Sequence, residues 1–375
     1  MEQRKSFLEE LGLKSLFSNT LKNIYKNETV LITGDSGFKG SWLSLWLHYL
    51  GAKVIGYSFE PRTSRDNFVI CGLTEKITHI TNDIRDYEAL LEAFKKYKPS
   101  FVFHLAAQPI VLDSYNDPIT NYSTNLMGTV NVFEASRYTD SVEVIVNITS
   151  DKCYENKEWI YGYRETDPMG GKDPYSASKG AAELITSSYI QSFFNNNNTA
   201  SLASARAGNV IGGGDWSLFR LIPDCINALE KNETIIIRNP SSVRPWQHVL
   251  EPLSGYLLLA AKLKTEGKKY SSGWNFGPKQ NNMINVETLV KDMIKQWGNG
   301  SYKIEKQKDA KPEAGLLHLD ISKSLNLLGW SPALNFEQTI EHTIAEYKIN
   351  SMSVEQVYNQ RLEHIEYYSK IQSQI

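Results

Sequence analysis

Tyr175 and Lys179 frame the run Tyr175-Ser-Ala-Ser-Lys179. An offset of four residues puts both side chains on one face of a helix. A tyrosine acts as a base near neutral pH only with help, because its ordinary pKa is about 10; a neighbouring ammonium favours the phenolate. A second set of reactive side chains, Ser150, Asp151 and Lys152, lies in Ile148-Thr-Ser-Asp-Lys-Cys-Tyr154, directly after an apolar strand-like run. Ligands of open parallel sheets bind outside the carboxyl ends of the strands, where these three would stand. The plain alternatives are a surface Tyr–Lys pair and a solvated Asp–Lys loop.

The elements that would position these groups begin at Thr29-Val-Leu-Ile-Thr-Gly-Asp-Ser-Gly-Phe-Lys-Gly40. A β-branched run, Thr29 to Thr33, reads as a buried parallel strand. It meets Gly34, Gly37 and Gly40, and a helical pattern follows over 41–50. Strand, glycine turn and helix open a dinucleotide-binding unit. Bare glycines let a pyrophosphate reach the helix N-terminus, where free N–H groups favour an anion. A bound nicotinamide cation would then also favour a Tyr175 phenolate, and Lys179 could hold a cofactor ribose.

From there strands and helices alternate. Strands are expected over 29–33, 53–57, 77–80, 101–105, 142–148 and 201–205, with helices over 41–50, 87–96, 118–138 and 175–194. That alternation predicts an α/β chain with a doubly wound parallel sheet. After about Gly208 the pattern changes. Helices over 221–229, 249–263 and 286–297, short strands over 234–238 and 274–276, and a C-terminal helix from Asn335 predict a smaller mixed α/β domain. The expected division is residues 1–27 as a helical extension, 28–207 for the dinucleotide and 208–375 for the substrate, with segments of the last free to exchange into the first. The extension is amphipathic, with Phe7, Leu8, Leu11, Leu13, Leu16 and Phe17 as apolar contacts, and is expected to dock on the body or on another subunit.

Bulk properties exclude several partners. The 375 residues carry a net charge of −2 and are 41% hydrophobic, which argues for a globular chain and against nucleic acid or an acidic membrane surface. No apolar run reaches spanning length, and the N-terminal residues lack a signal peptide's apolar core. Cys71, Cys153 and Cys225 are three, widely spaced, and suit a reducing cytoplasm. His104 and His248 have no metal-ligating companion at useful spacing, so both read as structural or hydrogen-bonding residues and no metal is expected.

Taken together, the three glycines, Tyr175 with Lys179, His104-Leu-Ala-Ala-Gln108 and Asn125 resemble the extended short-chain dehydrogenase/reductase superfamily, a Rossmann-like fold with many members acting on nucleotide sugars. The similarity spans roughly residues 28–345. Within it, Gly34-Asp-Ser-Gly-Phe-Lys-Gly-Ser-Trp-Leu43, Thr149-Ser-Asp-Lys-Cys-Tyr154, Asp167-Pro-Met-Gly-Gly171, Ala205-Arg-Ala-Gly-Asn-Val-Ile-Gly-Gly-Gly-Asp-Trp216 and Arg244-Pro-Trp-Gln-His248 resemble the CDP-glucose 4,6-dehydratase family. Sister families acting on dTDP-glucose and GDP-mannose carry an acidic residue where Lys152 stands, and that residue abstracts the carbon-5 proton.

This resemblance implies a lyase that removes water from CDP-glucose to give CDP-4-keto-6-deoxyglucose by transient oxidation. Tyr175 would take the carbon-4 hydroxyl proton, with Ser150 bonded to the same oxygen. Elimination then needs a base at carbon 5 and an acid at carbon 6, two groups of opposed protonation. Lys152 is assigned as base and Asp151 as acid, unless the two act as one coupled pair. An epimerase or reductase needs no carbon-5 base, and a non-catalytic dinucleotide-binding module needs neither Tyr175 nor Ser150.

The resemblance also implies the contacts. Gly34, Ser36, Gly37, Phe38 and Gly40 would surround the pyrophosphate; Asp83 and Ile84 the adenine; Leu105, Ala106, Ala107 and Thr124 further parts of the cofactor. Glu60, 20 residues past Gly40, would hold the adenosine ribose of NAD, although Ser58 with Arg62 could accept the 2′-phosphate of NADP. NAD is expected, since the dehydratases this chain resembles use it. Arg244 would bind the substrate diphosphate, Gln108 the hexose, and Asn209, Arg220 and Asn275 the nucleotide sugar. A homodimer or higher homo-oligomer is expected through the helices beside the active-site helix.

Overall fold

The computed structural model describes residues 16–279, 283–305 and 316–374. Strand β1 (Thr29–Thr33) sits fifth from one end and third from the other in a seven-stranded sheet. With β2 (Lys53–Ser58), β3 (Thr78–Thr81), β4 (Phe101–His104), β5 (Val144–Ile148), β6 (Ser201–Ala207) and β7 (Gly273–Phe276), the order is β7-β6-β5-β4-β1-β2-β3, with every pair parallel. The order reverses beside β1, so the carboxyl ends of β1 and β4 open a crevice.

Alternation along the central strands divides the core into two layers. Val30 and Ile32 join Trp42, Trp46, Leu253, Tyr256 and Tyr368 on one face. Leu31 joins Leu90, Phe94, Val132 and Phe133 on the other. Each such side chain contributes on the order of 1.5–3 kcal/mol when fully buried. The first face is covered by α1 (Leu16–Tyr25), α2 (Phe38–Tyr49) and two helices from the far end of the chain. The second is covered by α3 (Tyr87–Tyr97), α4 (Gly128–Arg137) and α5 (Pro174–Ser192).

A third apolar cluster builds the smaller layer from α6 (Leu221–Glu230), the parallel pair Thr234–Ile237 and Ser301–Ile304, α8 (Val286–Trp297) and α9 (Phe336–Tyr347). The chain does not cross from the large layer to the small one only once. Helix α7 (Leu250–Glu266), β7 and α10 (Val354–Gln372) return to the large layer. The strand expected at 274–276 within the smaller domain is therefore an edge of the main sheet.

Two helices differ from expectation. The span 118–138 is interrupted by a π-helical turn over Ser123–Met127, and the C-terminal helix is two helices, each started by a capping box, at Asn335 and Ser353. Of the N-terminal extension, α1 docks on the body: Leu21 and Tyr25 are fully buried, and the Tyr25 hydroxyl donates to Leu257 O at 2.7 Å. Phe7, Leu8, Leu11 and Leu13 lie outside the described residues. Among the described residues no helix is long and apolar enough to cross a membrane.

Candidate active site

The glycine loop forms the cradle the sequence predicts, with α2 starting three residues earlier, at Phe38. Gly34 has φ +78°, and a side chain on Gly40 would overlap the Gly34 carbonyl. The Gly37 N-cap brings no side chain, so the first turn of α2 keeps its N–H groups open to an anion. These features fit a dinucleotide pyrophosphate. Ser36 and Ser58 are less available than expected. The Ser36 hydroxyl donates to Phe59 O at 2.7 Å, and Ser58 donates to Asp35 Oδ1 at 2.8 Å. Asp35 is buried and also meets His79 Nδ1 at 2.7 Å. Glu60 is exposed just beyond β2 and accepts from the Thr81 hydroxyl; Arg62 is exposed nearby. Asp83 pairs with Arg85 at 2.6 Å, while Ile84 is buried under Gly128. Leu105, Ala106 and Ala107 leave the end of β4 half-buried, and Thr124 is half-buried in the π turn.

Helix α5 fixes Tyr175 through its start. Asp173 is the N-cap, accepting from Ser176 N at 2.9 Å, and Pro174 takes the first helical position. Tyr175 is thus locked into the first turn and Lys179 follows one turn later, both nearly buried. Across from them, Ser150 lies two residues beyond β5 and caps the turn Asp151–Cys153. Its hydroxyl donates to Asp151 Oδ1 at 2.9 Å and accepts from Lys152 N at 3.2 Å. Lys152 Nζ lies 5.9 Å from the centre of the Tyr175 ring. The five predicted catalytic residues converge.

Their electrostatics differ in part from expectation. Burial pushes the Tyr175 phenol up to about 12, against a lowering by the Ser150 hydroxyl. Burial also brings Lys179 down to about 8, opposed by Glu183. A lysine at about 8 is still mostly an ammonium near neutral pH, so Lys179 keeps the charge the pairing requires, while burial leaves the phenol high. Burial raises the Asp151 carboxyl, opposed by Lys152, Ser150 and Arg244; this is the direction an acid requires.

Substrate-side residues divide. Arg220 faces the same centre and is held by Asp215 at 2.8 Å. Arg244, on the strand Val243–Pro245, acts on Asp151 electrostatically. Asn209 precedes the short strand Val210–Ile211, and its carbonyl accepts from Gln247 N. Gln108 is held by Asn125 through its backbone, and its Oε1 has no partner among the described residues. Asn275 is engaged by internal partners. It is fully buried, accepts from the Tyr154 hydroxyl at 2.7 Å, and gives both amide hydrogens to Tyr163 O and Asp320 O. Its bonding capacity holds loops together instead.

Two features were not read from the sequence, Lys39 and the Glu183–Arg206 pair. Lys39 adds another amine: burial, with Lys179 and Arg220 nearby, lowers it to about 7. The available signal was a second charge, after Asp35, within the glycine motif at the start of α2. Asn125, already part of the resemblance, bonds Gln108, Asn121 and Ser178 and so ties the β4 loop to α5. Behind the catalytic loop, Glu183 and Arg206 form a buried pair at 2.7 Å. His104 is a hydrogen-bonding residue, as expected, between Thr33 and Thr129.

A family model described as GDP-mannose 4,6 dehydratase matches residues 31–343. The chain belongs to that family. Like this dehydratase-family chain, a CDP-glucose 4,6-dehydratase from Salmonella typhimurium shares its extent: the two are 49% identical over 331 residues, 87% of this chain and 92% of the relative. Among solved structures, the dTDP-glucose 4,6-dehydratase DesIV of Streptomyces venezuelae, with NAD and TYD bound, superposes with a TM-score of 0.73 at 22% identity, covering 86% of this chain and 97% of that one. An epimerase from Methanothermobacter thermautotrophicus superposes with a TM-score of 0.75 at 22% identity, covering 94% and 98%. Similarity at this level shows that the dehydratase family shares its fold with epimerases.

Proposed function

We propose that this chain is a CDP-glucose 4,6-dehydratase working with NAD. The observation that carries it is the Ser150-Asp151-Lys152 loop facing Tyr175: an acid-directed carboxyl and an amine stand beside the tyrosine–lysine pair that oxidation alone would need. The 49% identity to a CDP-glucose 4,6-dehydratase supports CDP-glucose as substrate.

Gly34, Gly37, Phe38 and Gly40 would hold the NAD pyrophosphate and Glu60 its adenosine ribose, with Asp83, Ile84, Leu105, Ala106, Ala107 and Thr124 along the rest. Bonding of Ser58 to Asp35 argues against a 2′-phosphate site at Ser58 and Arg62. When bound, NAD supplies the site that accepts hydride from carbon 4 and returns it to carbon 6. Tyr175 takes the carbon-4 hydroxyl proton, and Ser150 bonds that oxygen. Lys179 holds the ribose beneath the reacting carbon. Lys152 takes the proton from carbon 5, made acidic by the new ketone, and gives a proton back to carbon 5 once carbon 6 has received its hydride. Asp151 protonates the departing carbon-6 hydroxyl. Arg220 and Arg244 hold the diphosphate, with Gln108 and Asn209 on the hexose and nucleotide.

We also place the protein in the cytoplasm, which suits its three free, buried cysteines. A homodimer would bury Ile119, Met127 and Leu184, which are 80%, 51% and 63% exposed along the helices beside Tyr175. Incubation with CDP-glucose, dTDP-glucose and GDP-mannose tests the substrate. Mass spectrometry should show loss of water from CDP-glucose alone; an unchanged sugar mass, or a preference for another nucleotide, would refute the proposal.

A further inference from the structure

Outside the catalytic cleft, three of the chain's seven histidines gather around one carboxylate. His342 and Glu346 lie four residues apart on α9, on one helical face. His364 comes from α10, and His248 from the strand end Gln247–His248. Glu346 is fully buried. Its Oε1 lies 2.7 Å from His364 Nδ1, and His248 Nε2 lies 3.1 and 3.2 Å from its two oxygens. The His342 ring sits 4.5 Å from His364 and 5.8 Å from His248, centre to centre. One ligand atom from each of His342, Glu346 and His364 lies within 4.8 Å of the others.

Hydrogen bonding accounts for two of these histidines and leaves the third unexplained. Glu346 is served by His248, by His364 and by Gly213 N, which donates to Oε2 at 2.6 Å. His342 makes no hydrogen bond within the described residues, yet its ring is packed against the other two imidazoles and Tyr367.

We propose that His342, Glu346 and His364 bind one divalent transition metal, Zn²⁺ by preference, with His248 as the outer partner that orients Glu346. Two imidazoles and a carboxylate are a donor set suited to Zn²⁺, and one position stays open for water. Zinc bonds of about 2.0–2.2 Å set tetrahedral ligand atoms about 3.4 Å apart, so side-chain shifts on the order of 1 Å complete the site. His248 Nδ1 accepts from Leu250 N at 3.4 Å, which leaves its Nε2 proton for the carboxylate; a histidine so placed fixes a ligand's orientation. His342 and His364 are half-buried, which gives the ion a path from solvent. The ion would join α9 and α10 behind the Gly212–Asp215 loop, whose Asp215 holds Arg220.

Untagged protein, stripped with a chelator and dialysed, is titrated with Zn²⁺ by calorimetry and with Co²⁺ by visible spectroscopy. The expected results are one Zn²⁺ per chain, a higher melting temperature with the metal, and visible Co²⁺ bands of a low-coordinate nitrogen/oxygen site. His342→Phe keeps the ring packing and removes a ligand but no hydrogen bond. It should melt like the stripped wild type and bind Zn²⁺ at least about 100-fold more weakly, beyond the 10–100-fold expected for His248→Gln as an outer partner. Absence of stoichiometric binding by the wild type overturns the proposal, as does unchanged affinity in His342→Phe. Should that variant fail to fold, the Co²⁺ spectrum of the wild type decides alone: no bands, no site.

Discussion

Thr149 and Ser150 are neighbours just beyond the end of β5, and they serve two polar clusters of opposite character. Thr149 turns to the buried Glu183, which also accepts from Ser204 at 2.6 Å and pairs with Arg206 at 2.7 Å. Arg206 continues to the Tyr154 hydroxyl, and Tyr154 to Asn275. Ser150 turns to Asp151, Lys152 and Tyr175, where several groups keep bonding capacity to spare. Burial alone would raise both carboxyls. Glu183 is nonetheless held below the usual range by Arg206 and its hydrogen bonds, whereas Asp151 stays raised. Because successive residues of an extended chain point to opposite sides, one strand end supplies a largely paired scaffold and a working face with more bonding capacity to spare. Two carboxyls whose environments drive them apart are a mark of an acid–base site.

Breaking the two clusters should therefore give different phenotypes. On the working face, Lys152→Ala and Tyr175→Phe should each lower turnover about 10²- to 10⁴-fold, with an unchanged melting temperature. A parallel loss of stability would merge the two clusters into one. On the scaffold, Glu183→Ala leaves Arg206 charged and buried without its partner. A cost of about 3–5 kcal/mol in denaturant unfolding is expected, and a loss of activity in the remaining folded protein much smaller than that of Lys152→Ala.

A third buried carboxyl sharpens the contrast. Glu251 accepts from Ala333 N, Leu334 N and the Tyr368 hydroxyl, without a cation at bonding distance among the described residues, and burial raises it to about 7. Between its ordinary 4.5 and 7 the folded state binds more protons than the unfolded one, so stability falls as pH rises through that window. The loss is on the order of 3 kcal/mol. Glu251→Gln should flatten the fall; an equally steep profile in the variant would assign the slope to other groups.

Legibility from sequence followed the range of the interactions. Central strands such as Val144–Ile148 are buried on both faces and so announce themselves as apolar runs. Edge strand β3 (Thr78–Thr81) lacks any fully buried residue and was placed one residue early. The glycine loop and Tyr175–Lys179 were legible because their geometry is local. Glu183 with Arg206, and His248 with a carboxylate 98 positions away, depend on which segments the fold brings together, and no spacing rule reports that. Asn275 shows the reverse failure: a position matched by resemblance to ligand contact is spent on three internal partners. The strand Gly273–Phe276 was seen but assigned to the wrong layer, since nothing in four residues tells a strand which sheet to join.

The central claim is that the working face oxidises carbon 4 of a nucleotide sugar only to lose water and recover the hydride. CDP-glucose deuterated at carbon 4 tests it most directly. The account predicts a CDP-4-keto-6-deoxyglucose with the deuterium on carbon 6 and no accumulation of NADH. A product of unchanged sugar mass, deuterium retained on carbon 4, or stoichiometric reduced cofactor would contradict it.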